Sequence, residues 1–376
     1  MSDPIHAIVM PKWGLAMQEG MLASWHVAEG QEVEKGQEIA DIETSKIANV
    51  FESPVSGPLR RRLVGESETV PVGALLAVVA DASVTDAEID AFVSDFQAKF
   101  AESQAATASA KGPEPEFVEV DGYRLRYLKM GDAGGDPVIF LHGYGADLNN
   151  WLFNQPAMAG KHTTYALDLP GHGGSSKEVG EGTIDTMAQA VLGLMEARGI
   201  NRTHLVAHSM GGAVALELAL RHPEKITSAT LICPAGLGPD ISMEYINGFI
   251  EANRRKKMEP VLQMLVANPD LVTGEMIEDV LKYKRLDGVE AALKKLREVL
   301  FPGGRQALVL KDQLAVGGGR QIQIIWGRQD RIVPPSHAEG LPSTVKVSVF
   351  DGAGHLAHME KASEVNALIE AQIAAA

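Results

Sequence analysis

Apolar residues change their spacing twice along this chain. In the first eighty positions they come in short, alternating runs broken by glycine: Ile39, Ala40 and Ile42 read as one strand, and Ile47, Val50 and Phe51 as the next. Between them the polar residues Glu43, Thr44 and Ser45 interrupt the pattern, which presents Lys46 at or beside the tip of a hairpin. A shift of 37 residues lays Gly20 on Gly57, Leu22 on Leu59, Val27 on Val64, Val33 on Val70, Gly36 on Gly73 and Ile39 on Leu76. Two copies are too few for a solenoid, so the repeat predicts two matching halves folded on each other as a small β-sandwich. Lys46 lies in the link between the halves, opposite the chain ends.

From Ser83 the spacing turns helical. Ile89, Phe92, Val93 and Phe96 share one face of a short amphipathic helix, and "QAATASAKGPEPEF" then reads as an Ala/Ser/Pro-rich tether. We therefore expect a small domain over 1–80, a linker with a short helix over 81–116, and a large domain over 117–376. In the large domain buried-strand runs such as "PVIFL", "THLVAH" and "QIQIIWG" alternate with helical stretches. That alternation predicts a mostly parallel sheet with helices on both faces. A helical, methionine-containing insertion spans about 240–314.

Composition narrows the partners. A length of 376 residues suits two or three domains, and a formal charge of -15 disfavours nucleic acid, whose phosphates need a basic face. The single cysteine, Cys233, excludes an internal disulfide and suits a reducing compartment. No secretory pattern opens the chain and no apolar run is long enough for a bilayer span, so the expected location is the cytoplasm, with no membrane partner.

The chemistry sits in the large domain. Ala207-His208-Ser209-Met210-Gly211 reads as a nucleophile elbow, a strand-to-helix turn that strains the serine backbone and needs small neighbours. Serine needs a base and an orienting acid, and Asp330 and His355 follow in chain order, each after an expected strand. Asp330 would fix the tautomer of His355, which takes the Ser209 proton, while the backbone N–H groups of Tyr144 and Met210 form the oxyanion hole. His208 and His142 are expected to pack and brace, and Cys233 to act as a small buried hydrophobe. His358 and Glu360 lack H-E-x-x-H spacing, so no metal is expected. "NRRKKM" is the densest basic run; it is a solvated helix face or a contact for the phosphates of a ligand.

"EGQEVEKGQEIADIETSKIANVFESPVSG" resembles the lipoyl domains of 2-oxo-acid dehydrogenase complexes, with Ser45 where many members have aspartate. The resemblance implies a barrel-sandwich hybrid fold carrying lipoate in amide linkage on Lys46. Biotin carriers, which share that fold, usually flank the lysine with methionine; Ser45 and Ile47 favour lipoate. "HGYG", "LDLPGHGGS", "AHSMGG", "GRQDRIVP" and "GAGHLAHME" resemble the α/β-hydrolase family, which places a lid where the helical insertion lies. The two together are similar to the acetyltransferase components of acetoin dehydrogenase complexes. That similarity implies transfer of acetyl from the S-acetyldihydrolipoyl arm on Lys46 to coenzyme A. It also implies two partners, a thiamine-diphosphate-dependent acetoin dehydrogenase component and a dihydrolipoyl dehydrogenase, and allows a homo-oligomer. A serine thioesterase or esterase with a lipoyl carrier domain is the alternative, and an idle assembly scaffold a third.

Overall fold

A computed structural model describes residues 5–11, 19–43, 48–109, 113–316 and 321–376. The chain divides into two compact units, Met1–Gly112 and Pro113–Ala376.

The first unit holds strands β1 (Ile5–Val9), β2 (Glu19–Trp25), β3 (Glu32–Val33), β4 (Glu38–Glu43), β5 (Ala48–Glu52), β6 (Gly57–Arg62), β7 (Glu68–Pro71) and β8 (Leu75–Ala80). They form two sheets, β1-β8-β6-β3 and β5-β4-β2-β7. Adding four to each strand number, cyclically, converts one order into the other, which is the internal repeat expressed as topology. Ile8, Leu22, Val33, Ile39, Ile42, Leu59 and Leu76 close the core between the sheets.

Strand β8 is buried along its whole length. Leu76 and Val79 face the sandwich interior, and Leu75, Val78 and Ala80 face a second cluster with Ile89, Phe92, Val93 and Phe96 of the helix Asp86–Ser109. That second cover explains why "LLAVVA" lacks polar alternation. The helix differs from expectation in length. It runs through Ser109, so the first part of the segment read as a tether is helical, in keeping with the high helix propensity of its alanines. Its start is a capping box: Glu88 N–H donates to Thr85 Oγ1 (3.3 Å) and Thr85 N–H to Glu88 Oε2 (2.8 Å).

The second unit is an eight-stranded sheet. Its strands are β9 (Glu116–Val120), β10 (Tyr123–Met130), β11 (Val138–Leu141), β12 (Thr164–Leu167), β13 (Thr203–His208), β14 (Ile226–Ile232), β15 (Gln321–Gly327) and β16 (Lys346–Phe350), in the order β16-β15-β14-β13-β11-β12-β10-β9. All pairings from β12 to β16 are parallel, and β9 and β10 close one edge antiparallel. The order reverses where β11 adjoins β13, with Leu141 beside Ala207. A reversal of this kind opens a crevice at the strands' carboxyl ends, where ligands bind in open α/β sheets. Between β14 and β15 lie the helices Met243–Glu251, Arg255–Gln263, Gly274–Lys284 and Val289–Leu300. No helix among the described residues is long and apolar enough to cross a membrane.

Candidate active site

Strand β13 is fully buried and is followed by Ser209, whose backbone is left-handed (φ +52°, ψ −116°) before the helix Met210–Arg221 begins. A non-glycine residue there stores strain that the surroundings must hold. They do so through the strand neighbours: Ser209 N–H donates to the Ile232 carbonyl (3.0 Å), and its own carbonyl accepts from Gly212 (2.9 Å) and Ala235 (2.9 Å). Packing demands the glycines that follow. A methyl group on Gly211 would fall 2.4 Å from the Leu141 carbonyl oxygen, and one on Gly212 2.6 Å from Pro234 Cβ.

Asp330 and His355 leave β15 and β16 and meet directly, with His355 Nδ1 donating to Asp330 Oδ2 at 2.8 Å. The carboxylate is saturated. Oδ2 also accepts from Trp326 Nε1 (3.0 Å), and Oδ1 accepts the backbone N–H groups of Ile332 (2.8 Å) and Val333 (3.0 Å). Because a carboxylate only accepts, the His355 proton sits on Nδ1 and its Nε2 is left with a lone pair. Both side chains are buried.

The turn after β11 carries the third part. His142 Nδ1 donates to the Gly143 carbonyl (2.8 Å), and its Nε2 accepts from Leu169 N–H (3.0 Å). Burial lowers its pKa to about 4, so it braces the turn as a neutral ring. A methyl on Gly143 would stand 3.0 Å from both Ser209 Cβ and His208 Nδ1, so the turn rests on the elbow. Among the described residues neither the Tyr144 nor the Met210 backbone N–H has an acceptor. The Tyr144 hydroxyl donates to the Leu293 carbonyl of the helix Val289–Leu300 (2.7 Å).

His208 joins these parts. Its Nε2 donates to the backbone carbonyl of His355 (2.9 Å), and its Nδ1 accepts a long bond from Asn150 Nδ2 (3.4 Å). Burial holds its pKa well below the ordinary histidine value. The ring lies between those of His355 (4.7 Å) and His358 (4.6 Å). His358, pushed down to about 3 by burial, packs on Trp151 (4.9 Å). Its neighbour Glu360 accepts from Ala267 N–H (2.8 Å) and Gly354 N–H (2.6 Å), a bracing role for the His355 loop.

Cys233 Sγ comes within 4.8 Å of ligand-type atoms of Asp330 and His355. Cys233 and Asp330 already have their own partners. The thiol donates to the Gly354 carbonyl (3.7 Å) and is kept protonated by burial and the nearby Asp330 charge, while Asp330 is filled by N–H donors.

Residues 136–362 match the family model described as alpha/beta hydrolase fold, and residues 6–79 the biotin/lipoyl model described as Biotin-requiring enzyme. The chain is 45% identical over 362 residues to the dihydrolipoyllysine-residue acetyltransferase component of the acetoin cleaving system of Pseudomonas putida, covering 96% of both chains. Against the component of that name from Cupriavidus necator it is 44% identical, covering 98% of this chain and 97% of the relative. The chain belongs to this acetyltransferase family. Its second unit also has the fold of a meta-cleavage product hydrolase structure (TM-score 0.64, 24% identity, 69% of this chain and 98% of that one).

In this family member the lysine expected to carry lipoate, Lys46, lies outside the described residues. The strands on either side of it, β4 and β5, pair antiparallel with Glu43 opposite Ala48, as a hairpin bracketing that lysine requires. Three methionines of the insertion serve packing: Met258 is fully buried, and Met243 and Met264 pack against the core. Several residues that organise the site escaped sequence reasoning. Asp168 of "LDLPGHGGS" is buried and binds Arg126 Nε (2.6 Å), Leu148 N–H (2.7 Å) and Gly174 N–H (2.7 Å). It holds the loop whose Leu169 N–H anchors His142. Asn150 carries no local signal, since its partner His208 lies in another element, and the partners of Trp326 follow within seven residues but carry no recognisable pattern.

Proposed function

We propose that Ser209, His355 and Asp330 are the acyl-transfer machinery of this chain, moving acetyl from the dihydrolipoyl arm to coenzyme A. The observation that carries this reading is the saturated Asp330 carboxylate, which commits His355 Nδ1 as a donor and leaves Nε2 to act as the base. Lys46 would hold lipoate, and the bound group supplies the thioester sulfur that presents the acetyl.

His355 Nε2 takes the Ser209 proton as Oγ attacks the thioester carbonyl. The N–H groups of Tyr144 and Met210 receive the oxyanion; one such donor is worth about 2.7–4 kcal/mol in the transition state. Collapse breaks the C–S bond, His355 returns its proton to the leaving thiol, and acetyl-Ser209 remains. The coenzyme A thiol, of a type that titrates near 8.5, then gives its proton to His355 and attacks the ester. The second collapse releases acetyl-CoA and restores Ser209.

As a component of an acetoin-cleaving system, the chain would be loaded by a thiamine-diphosphate-dependent partner, and a dihydrolipoyl dehydrogenase would reoxidise the arm. Its one cysteine, buried and protonated, suits the cytoplasm. The first unit acts as the carrier domain and the second as the catalytic one, the helical insertion over about 240–314 serving as lid.

The test is S-acetyl-dihydrolipoamide with and without coenzyme A, using wild type and Ser209→Ala and quantifying acetyl-CoA and acetate. Acetyl-CoA that vanishes with the substitution is the expected result. Acetate alone would return the hydrolase reading, and acetyl-CoA surviving the substitution would remove Ser209 as nucleophile.

A further inference from the structure

Four consecutive cations, Arg254, Arg255, Lys256 and Lys257, stand exposed at the start of the helix Arg255–Gln263. Three features set them apart. The chain carries a formal charge of -15, yet no acidic residue lies in this helix's first turn. Glu251 and Glu259 flank the run, but among the described residues none of the four cations forms an ion pair. The cations also occupy the positive end of the helix dipole, where like charge is disfavoured. A local conflict of this kind, left uncompensated, points to an anion supplied from outside.

The other end of the same helix reaches the candidate active site. Just past Gln263, the Leu265 carbonyl accepts Leu356 N–H (3.0 Å), next to His355, and the Val266 carbonyl accepts Arg331 Nη2 (3.0 Å), next to Asp330. A methyl on Gly354 would lie 2.8 Å from the Val266 backbone. The nine-residue helix spans roughly 13 Å between the cations and the turn that makes this contact. The pantetheine arm of coenzyme A, about as long as four extended residues, reaches roughly 14 Å, a length that matches the helix.

We propose that Arg254, Arg255, Lys256 and Lys257 form the docking site for the phosphorylated nucleotide end of coenzyme A. The inference rests on coenzyme A being the acceptor, as proposed above. Arginine forks and lysine ammonium groups bind phosphate oxygens by charge-assisted hydrogen bonds. Bound there, the nucleotide would orient the thiol along the helix toward His355.

The experiment is equilibrium titration of the full chain with coenzyme A, 3′-dephospho-coenzyme A and pantetheine, for wild type and the R254Q/R255Q/K256Q/K257Q variant. Glutamine keeps helix propensity, and a thermal melt checks folding. We expect the affinity ratio of coenzyme A to pantetheine to fall at least tenfold in the variant. The dephospho compound should lie between the two if the 3′-phosphate shares the site. A ratio within twofold of wild type, or wild type that binds coenzyme A no tighter than pantetheine, overturns the proposal. Acetyl-CoA formation by wild type is assayed separately. Cation-dependent binding without turnover would refute the acetyl-transfer reading and leave the docking site standing.

Discussion

Replacing Asp330 by asparagine exchanges one acceptor oxygen for an NH₂ donor with almost no change in volume. Each carboxylate oxygen now faces two N–H groups: Ile332 and Val333 on Oδ1, Trp326 and His355 on Oδ2. The amide must therefore turn its NH₂ toward one pair. Two fixed backbone donors oppose the first orientation, whereas in the second His355 can adapt by moving its proton from Nδ1 to Nε2. Trp326 keeps an alternative acceptor in the Val333 carbonyl (3.1 Å). The adapted His355 presents N–H, not a lone pair, to the serine and cannot take its proton. A wrong tautomer of this kind costs roughly 10⁴-fold in kcat, or about 5 kcal/mol. The unfolding free energy should fall by only about 1–3 kcal/mol for the mismatched donors. The assay pairs acetyl-CoA formation with denaturant unfolding of Asp330→Asn. Activity within tenfold of wild type in a folded variant would refute the tautomer argument. A large stability loss would mean that the amide faces the Ile332–Val333 backbone instead.

His208→Phe keeps the stacked ring but deletes the donor to the His355 carbonyl; kcat should drop about tenfold, one hydrogen bond's worth, with KM for the acyl donor little changed, while His208→Gln recovers part of the rate. Gly211→Ala, whose methyl would sit 2.4 Å from the Leu141 carbonyl, should destabilise by about 1–3 kcal/mol or more in chemical unfolding, and a neutral effect would contradict the close packing of elbow and sheet. His142, with a folded pKa of about 4, stays neutral while the unfolded residue protonates near 6.5. The unfolded state binds more protons in that window, so stability is full above about pH 6.5 and falls toward pH 4, by about 3 kcal/mol for this residue. Unfolding curves at pH 4.5 and 7 should show the slope, and His142→Asn should reduce it by this residue's share, the buried His208 and His358 supplying part of the rest.

The order of glycines, apolar runs and turn residues was enough to read a two-fold β-sandwich and a parallel α/β sheet, because strand periodicity and turn chemistry are local. The nucleophile elbow and the chain order of Ser209, Asp330 and His355 were legible for the same reason: a strained strand-to-helix turn needs small residues at fixed offsets. The helix through Ser109 was read too short because the Ala/Ser/Pro-rich composition of the segment from Gln104 outweighed the helix propensity of its alanines. That Asp330 orients His355 was also read from chain order, and the two meet at Nδ1. What fills Asp330 and what seats the His355 loop was not legible: Trp326 does the first, and His208 and Glu360 the second. Those contacts join residues 4 to 147 positions apart. Spacing along the chain determined which groups are present and in what order; only folding, by burying them and choosing their hydrogen-bond partners, decided which way each proton points.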